Sequence, residues 1–137
     1  MTPDQFSEVH ALCFDTPRPW SAREFEAMLK SPGVHLIGDL ACFLVVRVLV
    51  GEAEVLTLAT HPDLRRKGLA GDRLDQLETL ARSQDTDTIF LEVAATNEPA
   101  LTLYHNHGFC ESGRRTHYYR SPNGDRIDAI LLHKRLT

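Results

Sequence analysis

The 137-residue sequence lacks the features of a membrane or secreted protein. Its longest apolar run, residues 41–46, is too short to cross a bilayer. No basic segment followed by an apolar stretch opens the chain, so we expect no signal peptide. Cysteine is scarce, and Cys13, Cys42 and Cys110 are odd in number and widely spaced, which predicts reduced thiols in a cytoplasmic protein.

A basic excess is also missing, and this argues against a nucleic-acid-binding protein. The net charge is −4 and the isoelectric point is near 5.9. Two basic clusters, Arg65-Arg66-Lys67 and Arg114-Arg115, suit a small polyanion better than a duplex. A hydrophobic content of 42% and a charged content of 25% are ordinary for a globular protein, and the length predicts one domain over residues 1–137.

Helical and extended patterns follow each other in an order that predicts an α/β fold. Capping boxes at Thr2 and Ser21 mark two helix starts, and Asn97 is a good cap for a later one. Helical patterns also cover residues 69–82 and 98–107, and strand patterns cover 34–37, 41–50, 54–60, 88–94, 113–120 and 126–132.

The strand–helix–strand pattern of residues 54–94 predicts a right-handed parallel crossover. The last two strands, by contrast, are joined by an Asn123-Gly124 turn that is typical of an antiparallel hairpin. We therefore expect a single α/β domain with a mixed, mostly antiparallel sheet, flanking helices and a central βαβ crossover.

A basic, glycine-containing turn at residues 64–71 leads into the helix that starts at Leu69. Backbone N–H groups at a helix N-terminus are unpaired, and the helix dipole favours an anion there. The turn is neither a Walker loop, since Lys67 precedes Gly68 with no Ser or Thr after it, nor a three-glycine dinucleotide fingerprint. By itself it fits a phosphate cradle and an ordinary helix start with solvated arginines about equally well.

Three blocks of residues resemble the GNAT superfamily of N-acetyltransferases. The first, Arg65-x-x-Gly68-x-Ala70, resembles its pyrophosphate-binding motif. The second consists of residues 91–93, Asn97, Ala100, Leu103, Tyr104, Gly108 and Phe109. The third resembles the closing hairpin of N-terminal protein acetyltransferases and consists of Arg114, Arg115, Tyr118, Tyr119, Gly124, Asp128 and Ala129. Together they are similar to the RimI-type branch, whose members acetylate the N-terminal alanine of a small-subunit ribosomal protein.

The resemblance implies acetyl-CoA as cosubstrate. In the family, backbone groups of the strand before the turn pair with the pantetheine arm, and the turn binds the pyrophosphate. The residues of this sequence expected to contact the coenzyme are Leu58, Ala59, Thr60, Arg65, Arg66, Lys67, Gly68, Leu69, Ala70, Gly71 and Asn97. Asn97 also fits a simple helix cap.

The resemblance also assigns the catalytic residues. Glu92, the only carboxylate in residues 88–96 and expected at the end of a buried strand, matches the general base. Tyr104 matches the general acid toward the coenzyme sulfur. A peptide α-amine has a pKa of about 7.7–8.0, so a modest base is sufficient. The alternatives are a solvated strand-end charge for Glu92 and an ordinary tyrosine for Tyr104.

Three aromatic residues are expected to bind the acceptor. Trp20 lies in a Pro-Trp-Ser stretch like that of RimI-type proteins, although a hydrophobic staple with Phe25 explains it nearly as well. Tyr118 and Tyr119 lie on one strand, and because side chains alternate between the faces of a sheet, only one of them is expected to face the acceptor.

The sequence departs from the family pattern at two places. The family usually has a strand before its first helix, whereas this sequence starts at the helix cap, so the sheet is expected to be one strand short at that edge. At Gly71-Asp72 the family often has a basic residue in the first position. Weaker coenzyme binding is therefore expected, with Arg73 as a candidate to offset it.

These observations favour a cytoplasmic enzyme that transfers an acetyl group from acetyl-CoA to a protein N-terminal amine, Ala-first, by direct attack in a ternary complex. The expected partner is a protein or peptide N-terminus, with a small-subunit ribosomal protein as a candidate, and neither nucleic acid nor a membrane. No metal is expected, because His105 and His107 face apart on a helix. Two alternatives stay open, namely a GNAT enzyme for a small amine or a lysine, and a non-catalytic CoA-binding module.

Overall fold

The structure is a computed structural model, and it describes residues 1–136. Four α-helices and six strands are found in this part of the chain. In chain order they are α1 (Pro3–Cys13), α2 (Ala22–Leu29), β1 (Val34–Gly38), β2 (Cys42–Leu49), β3 (Glu52–Thr60), α3 (Leu69–Ser83), β4 (Thr88–Ala94), α4 (Glu98–Asn106), β5 (Cys110–Arg120) and β6 (Arg126–Arg135), with a short 3-10 turn at Pro62–Leu64 between β3 and α3.

Both predicted capping boxes are present at the starts of α1 and α2. The Thr2 hydroxyl accepts from the Gln5 backbone N–H at 3.2 Å, and the Gln5 side chain accepts from the Thr2 N–H at 2.9 Å. Ser21 and Glu24 make the same reciprocal pair at the start of α2. These contacts satisfy N–H groups that a helix leaves unpaired, and so they fix where each helix begins.

The six strands form one sheet in the order β1-β2-β3-β4-β6-β5. All neighbouring pairs are antiparallel except β3 and β4, which are parallel as the strand–helix–strand pattern predicts. The sheet is therefore mixed and mostly antiparallel. β5 starts three residues earlier than its sequence pattern indicates, because Cys110 and Glu111 already pair with the end of β6.

Helices cover both faces of the sheet. On one face, Leu77 and Ala81 of α3 and Tyr104 of α4 pack against apolar residues of the central strands. On the other, Phe6 of α1 and Phe25 of α2 pack against Phe43, Val45 and Ala59, with aromatic rings in edge contact. The central strands are thus buried, whereas the edge strand β5 is largely exposed.

β1 is an edge strand of the sheet, and α1 is the first element in residues 1–136. None of the helices in the same range is long and apolar enough to span a membrane.

Candidate active site

The site is a cleft formed where the two parallel strands separate. β3 and β4 pair only over Glu52–Glu54 and residues 88–90, and their remaining residues diverge. A bulge at Leu56 helps to bend β3, since Val55 and Thr57 face consecutive residues of β2 and leave Leu56 between them. Beyond Glu54 the edge of β3 that faces β4 has no strand partner in residues 1–136, so its backbone groups are available to a ligand.

Two cavities lie along this cleft and meet in the middle. One, of about 510 Å³, lies between the end of β3, the turn before α3 and the start of α4. The other, of about 310 Å³, lies between α1, the α1–α2 loop, β4 and β5. Phe14, Leu58 and Tyr104 line both cavities, so a ligand in one can contact a ligand in the other at this point.

The turn before α3 has the backbone of an anion cradle. Gly68 is the N-cap residue of α3 with a φ of 77°, and no side chain caps the helix. Arg66 also has a positive φ, of 65°. No heavy atom comes within 4 Å of the position that a Cβ on Gly68 would take. The first N–H groups of α3 therefore point into open space, which fits a phosphate group.

The larger cavity collects almost all the residues predicted to contact the coenzyme. Those that line it are Leu58, Ala59, Thr60, Arg65, Arg66, Gly68, Leu69, Ala70, Gly71 and Asn97. Lys67 is exposed and is not among the lining residues. Asn97 also caps α4, because its side chain accepts from the Ala100 N–H at 3.2 Å. Further lining residues, which were not among the predicted coenzyme contacts, are Cys13, Phe14, Leu64, Pro99, Ala100 and Leu103.

The expectation that Arg73 compensates for Gly71 is wrong. Arg73 donates from Nε to the Cys42 carbonyl at 2.9 Å and lies 3.6 Å from the Asp39 carboxylate. These partners hold it against the β1–β2 turn, away from the cradle. The absence of a side chain at Gly71 is explained by close packing, since a Cβ there would lie 3.0 Å from the imidazole of His107. A larger residue at position 71 requires His107 to move.

Tyr104 lies two turns into α4 with its side chain at the junction of the two cavities. The residue is 6% exposed, and its ring packs edge-on against Phe109. Burial raises the pKa of its phenol well above the ordinary value. The hydroxyl is therefore protonated at neutral pH and is a proton donor.

Glu92 lines the smaller cavity from the middle of β4. It is two residues before the end of the strand, which corrects the expected strand-end position. Its carboxylate accepts from Arg115 Nε of β5 at 2.9 Å. The side chain is 29% exposed, so it faces the cavity while it stays within reach of water. The alternative of a free, solvated strand-end charge does not describe it.

A bulge in β5 brings both Tyr118 and Tyr119 to the smaller cavity. Three residues of β5, at 116–118, oppose the single residue Asp128 of β6, and His117 has a φ of 52°. The regular alternation of side chains is interrupted there, so the expectation that only one tyrosine faces the acceptor is wrong. Burial, with Glu92 nearby, raises the pKa of Tyr119 to about 12.

Trp20 lines the smaller cavity and is also in contact with Phe25, at 5.0 Å between ring centres, so both of its predicted roles have a structural basis. Its backbone N–H donates to Nδ1 of His10 at 2.9 Å. His10 is 2% exposed, and its Nε2 lies 2.8 Å from the Thr57 hydroxyl. Because Nδ1 accepts, the ring proton is on Nε2, and His10 joins α1, the α1–α2 loop and β3.

His10 is a residue of this site that the sequence did not indicate. Burial lowers its pKa to about 4, although nearby Glu24 acts in the opposite direction, so the imidazole is neutral. Its spacing from Phe6, Val9 and Cys13 places it on the apolar face of α1, which is a signal that the sequence does contain.

A family model described as the acetyltransferase (GNAT) family matches residues 5–109. The chain belongs to this family. It has the GNAT fold, and its membership makes it an acetyl-CoA-dependent N-acetyltransferase.

The GNAT chain is similar to named N-terminal acetyltransferases. It is 32% identical over 118 residues to the ribosomal protein bS18-alanine N-acetyltransferase of Escherichia coli, covering 83% of this chain and 79% of that protein. It is 30% identical over 128 residues to the N-alpha-acetyltransferase RimI of Mycobacterium tuberculosis, covering 87% and 79%.

Solved structures agree with this fold. A crystal structure of the Escherichia coli ribosomal-protein-alanine N-acetyltransferase superposes with a TM-score of 0.86 at 27% identity, over 98% of this chain and 88% of that one. A GNAT family acetyltransferase from Elizabethkingia anophelis with acetyl-CoA bound gives a TM-score of 0.74 at 16% identity, over 94% and 89%, and shows the fold alone.

His105 of α4 and His107, the residue that caps its C-terminus, have separate partners. His105 Nδ1 lies 3.1 Å from the Phe109 carbonyl oxygen, whereas His107 Nδ1 lies 4.0 Å from Asp75 of α3. Within residues 1–136, no group of three or more potential ligands is arranged to hold a metal.

Proposed function

We propose that this GNAT enzyme, as a single domain over residues 1–137, acetylates the N-terminal amine of a protein, with alanine as the preferred first residue. The observation that carries the proposal is the junction at Tyr104, where the coenzyme cavity meets a cavity lined by Glu92. An amine beside Glu92 and a thioester beside Tyr104 can react there without a covalent enzyme intermediate.

The coenzyme is held by the larger cavity. The N–H groups at the start of α3 and the side chains of Arg65 and Arg66 supply hydrogen-bond donors and positive charge for the pyrophosphate. Leu58, Ala59 and Thr60 supply the open edge of β3 for the pantetheine amides. Lys67, which does not line this cavity, adds at most a distant charge.

Glu92 and Tyr104 handle the two protons of the transfer. Acetyl-CoA supplies the thioester carbon that the amine attacks. Glu92 accepts the amine proton, directly or through a water, as the C–N bond forms. Tyr104, which is protonated at neutral pH, donates its hydroxyl proton to the sulfur as the C–S bond breaks.

The smaller cavity supports a peptide acceptor. Trp20, Tyr118 and Tyr119 are among the residues that line its volume of about 310 Å³, which has room for the first residue of a peptide. A further depression of about 470 Å³ lies between the α1–α2 loop, at Asp15 and Thr16, and the β5–β6 turn. This depression has room for the acceptor residues that follow the first one. The Escherichia coli relative named for the alanine of ribosomal protein bS18 supports an alanine acceptor, and the N-alpha-acetyltransferase RimI supports an N-terminal amine.

The three unpaired cysteines support a reducing compartment, and we propose the cytoplasm. A small-subunit ribosomal protein is the proposed partner, by similarity to the relatives named for ribosomal protein bS18.

Mass spectrometry of two peptides tests the acceptor class. One peptide begins with a free alanine and contains no lysine; the other has a blocked alanine and one internal lysine. We expect acetylation of the free N-terminus alone in the presence of acetyl-CoA. Acetylation of the lysine peptide would contradict the proposed acceptor, and failure of both peptides while acetyl-CoA still binds would point to a small amine or to a non-catalytic role.

A further inference from the structure

Arg115 has contacts that the reaction described above does not use. Its Nε donates to Glu92 Oε1 at 2.9 Å, and its guanidinium carbon lies 5.2 Å from the centre of the Tyr118 ring. Both neighbours line the acceptor cavity. A carboxylate and the face of an aromatic ring are the groups that attract an ammonium ion in proteins. The guanidinium thus engages the two groups that would otherwise hold a protonated acceptor.

We propose that Arg115 is a specificity-determining residue that excludes protonated amines from Glu92, so that only an amine in its neutral form reaches the base. The inference rests on the proposed function, because it assumes an amine acceptor beside Glu92. It adds a selection step that acts before the acetyl group is transferred.

The selection follows from the protonation of the two common peptide amines. With a pKa of about 7.7–8.0, roughly a tenth of an α-amine is neutral at pH 7. A lysine, with a pKa of about 10.4, is neutral in less than about a thousandth of molecules. A fixed cation raises the free energy of a bound ammonium and leaves a neutral amine nearly unaffected. Lysine side chains are therefore kept out, while the neutral fraction of an α-amine is admitted.

Other groups around the cavity do not provide this charge. The other titratable groups that line it, besides Glu92 and Tyr118, are His10 of α1, Glu54 of β3, Tyr104 of α4 and Tyr119 of β5. His10, Tyr104 and Tyr119 are uncharged between pH 6 and pH 9, because burial lowers the pKa of His10 to about 4 and raises those of both tyrosines, that of Tyr119 to about 12. Glu54 is negative and lies 3.9 Å from Arg47. Among the lining and paired residues of the described chain, Arg115 is the cation that touches Glu92.

The kinetic consequence separates this role from a structural one. Loss of the Arg115 charge has two effects. The protonated amine binds more tightly before the reaction, and more of the bound amine then has to lose its proton. In Arg115→Gln a protonated amine binds Glu92 better, so KM and kcat both fall while kcat/KM changes little. The acid limb of the kcat profile moves to higher pH, since the bound amine holds its proton more strongly. A variant that merely disturbs packing lowers kcat/KM and leaves the limb in place.

The experiment measures how well a blocked, lysine-containing peptide inhibits acetylation of the free alanine peptide. We expect its inhibition constant to fall about three- to tenfold in Arg115→Gln, the range for one screened charge a few ångströms away. Arg115→Lys keeps the charge and is expected to behave like the wild type. Arg120→Gln is the matched control, because it removes an exposed cation from the same strand with no partner at the cavity.

The possible outcomes are distinct. If the wild type acetylates the alanine peptide but the inhibition constant in Arg115→Gln is unchanged or larger, the role of Arg115 is overturned and the proposed function is not affected. An equal fall in Arg120→Gln also overturns it, because the effect would then be one of net charge. Absence of acetylation by the wild type would instead refute the proposed function.

Discussion

The carboxylate of Asp128 accepts a hydrogen bond from the backbone N–H of His117 at 2.8 Å. Its second oxygen accepts from Arg114 at 3.1 Å, so one side chain of β6 holds both the middle of the β5 bulge and a residue that precedes it. The His117 bond, with Arg114 beside it, lowers the pKa of Asp128, which keeps the carboxylate charged at neutral pH. The orientation of both cavity tyrosines therefore depends on a residue of the neighbouring strand.

Replacement of Asp128 is expected to act on acceptor binding. In Asp128→Ala the bulge loses its clamp, and we expect the KM for the alanine peptide to rise about tenfold, the effect of roughly one hydrogen bond. Asp128→Asn keeps an acceptor for the His117 N–H and is expected to change KM by less than about threefold. Steady-state kinetics provide the comparison. Equal KM values for the two variants would show that the His117 bond is not what positions the tyrosines.

The stability of the enzyme should depend on His10 in mildly acidic solution. The pKa of His10 in the folded protein, about 4, is below its ordinary value of 6.5, so the unfolded chain binds a proton first as the pH falls. The contribution of neutral His10 to the free energy of unfolding is complete above about pH 6.5, and it is lost progressively as the pH falls from 6.5 to 4. From pH 7 to pH 5 this group alone removes about 2 kcal/mol from the free energy of unfolding.

Urea unfolding at pH 7 and pH 5 tests this dependence. His10→Gln keeps a donor and an acceptor but cannot titrate. We therefore expect its free energy of unfolding to change less between pH 7 and pH 5 than that of the wild type, by most of the about 2 kcal/mol assigned to His10. The comparison uses differences within each protein, so a general loss of stability in the variant does not affect it. Equal pH dependence in both proteins would show that His10 is not held neutral by burial.

Coenzyme binding should fail when the cradle at α3 is filled. Gly68→Asp places a side chain and a negative charge in the open space before the helix, and we expect calorimetry to detect no acetyl-CoA binding. Gly124→Asp is a matched control, because Gly124 also has a positive φ and no heavy atom within 4 Å of the position that a Cβ would take, but it lies in the β5–β6 turn. Retained binding in Gly68→Asp, or its loss in both variants, would refute the cradle assignment.

Local and family patterns predicted much of the fold, whereas contacts between distant segments did not show in the sequence. The capping boxes at Thr2 and Ser21 and the limits of β4 depend on neighbouring residues, and each was predicted. The β5 bulge depends on Asp128 of β6. The direction of Arg73 depends on the Cys42 carbonyl of β2, which no local pattern reveals.

The same distinction applies to the site. Motif spacing identifies Glu92 and Tyr104, and the structure brings them to one cavity. Arg115 belongs to a motif, but its bond to Glu92 spans the width of β6 and could not be predicted without the sheet order. The spacing of His10 places it on the apolar face of α1, but its role could not be predicted because its partners, Trp20 and Thr57, come from two later segments.

The turnover of Glu92→Gln combined with Tyr104→Phe tests the central claim most directly, with the free alanine peptide as acceptor and acetyl-CoA binding measured alongside. In the proposed mechanism each side chain moves one of the two protons, and such groups typically contribute about a hundredfold or more to the rate. We predict that the double variant binds acetyl-CoA with near wild-type affinity and that its kcat falls by at least about a hundredfold. Acetylation at the wild-type rate would contradict the roles of both residues.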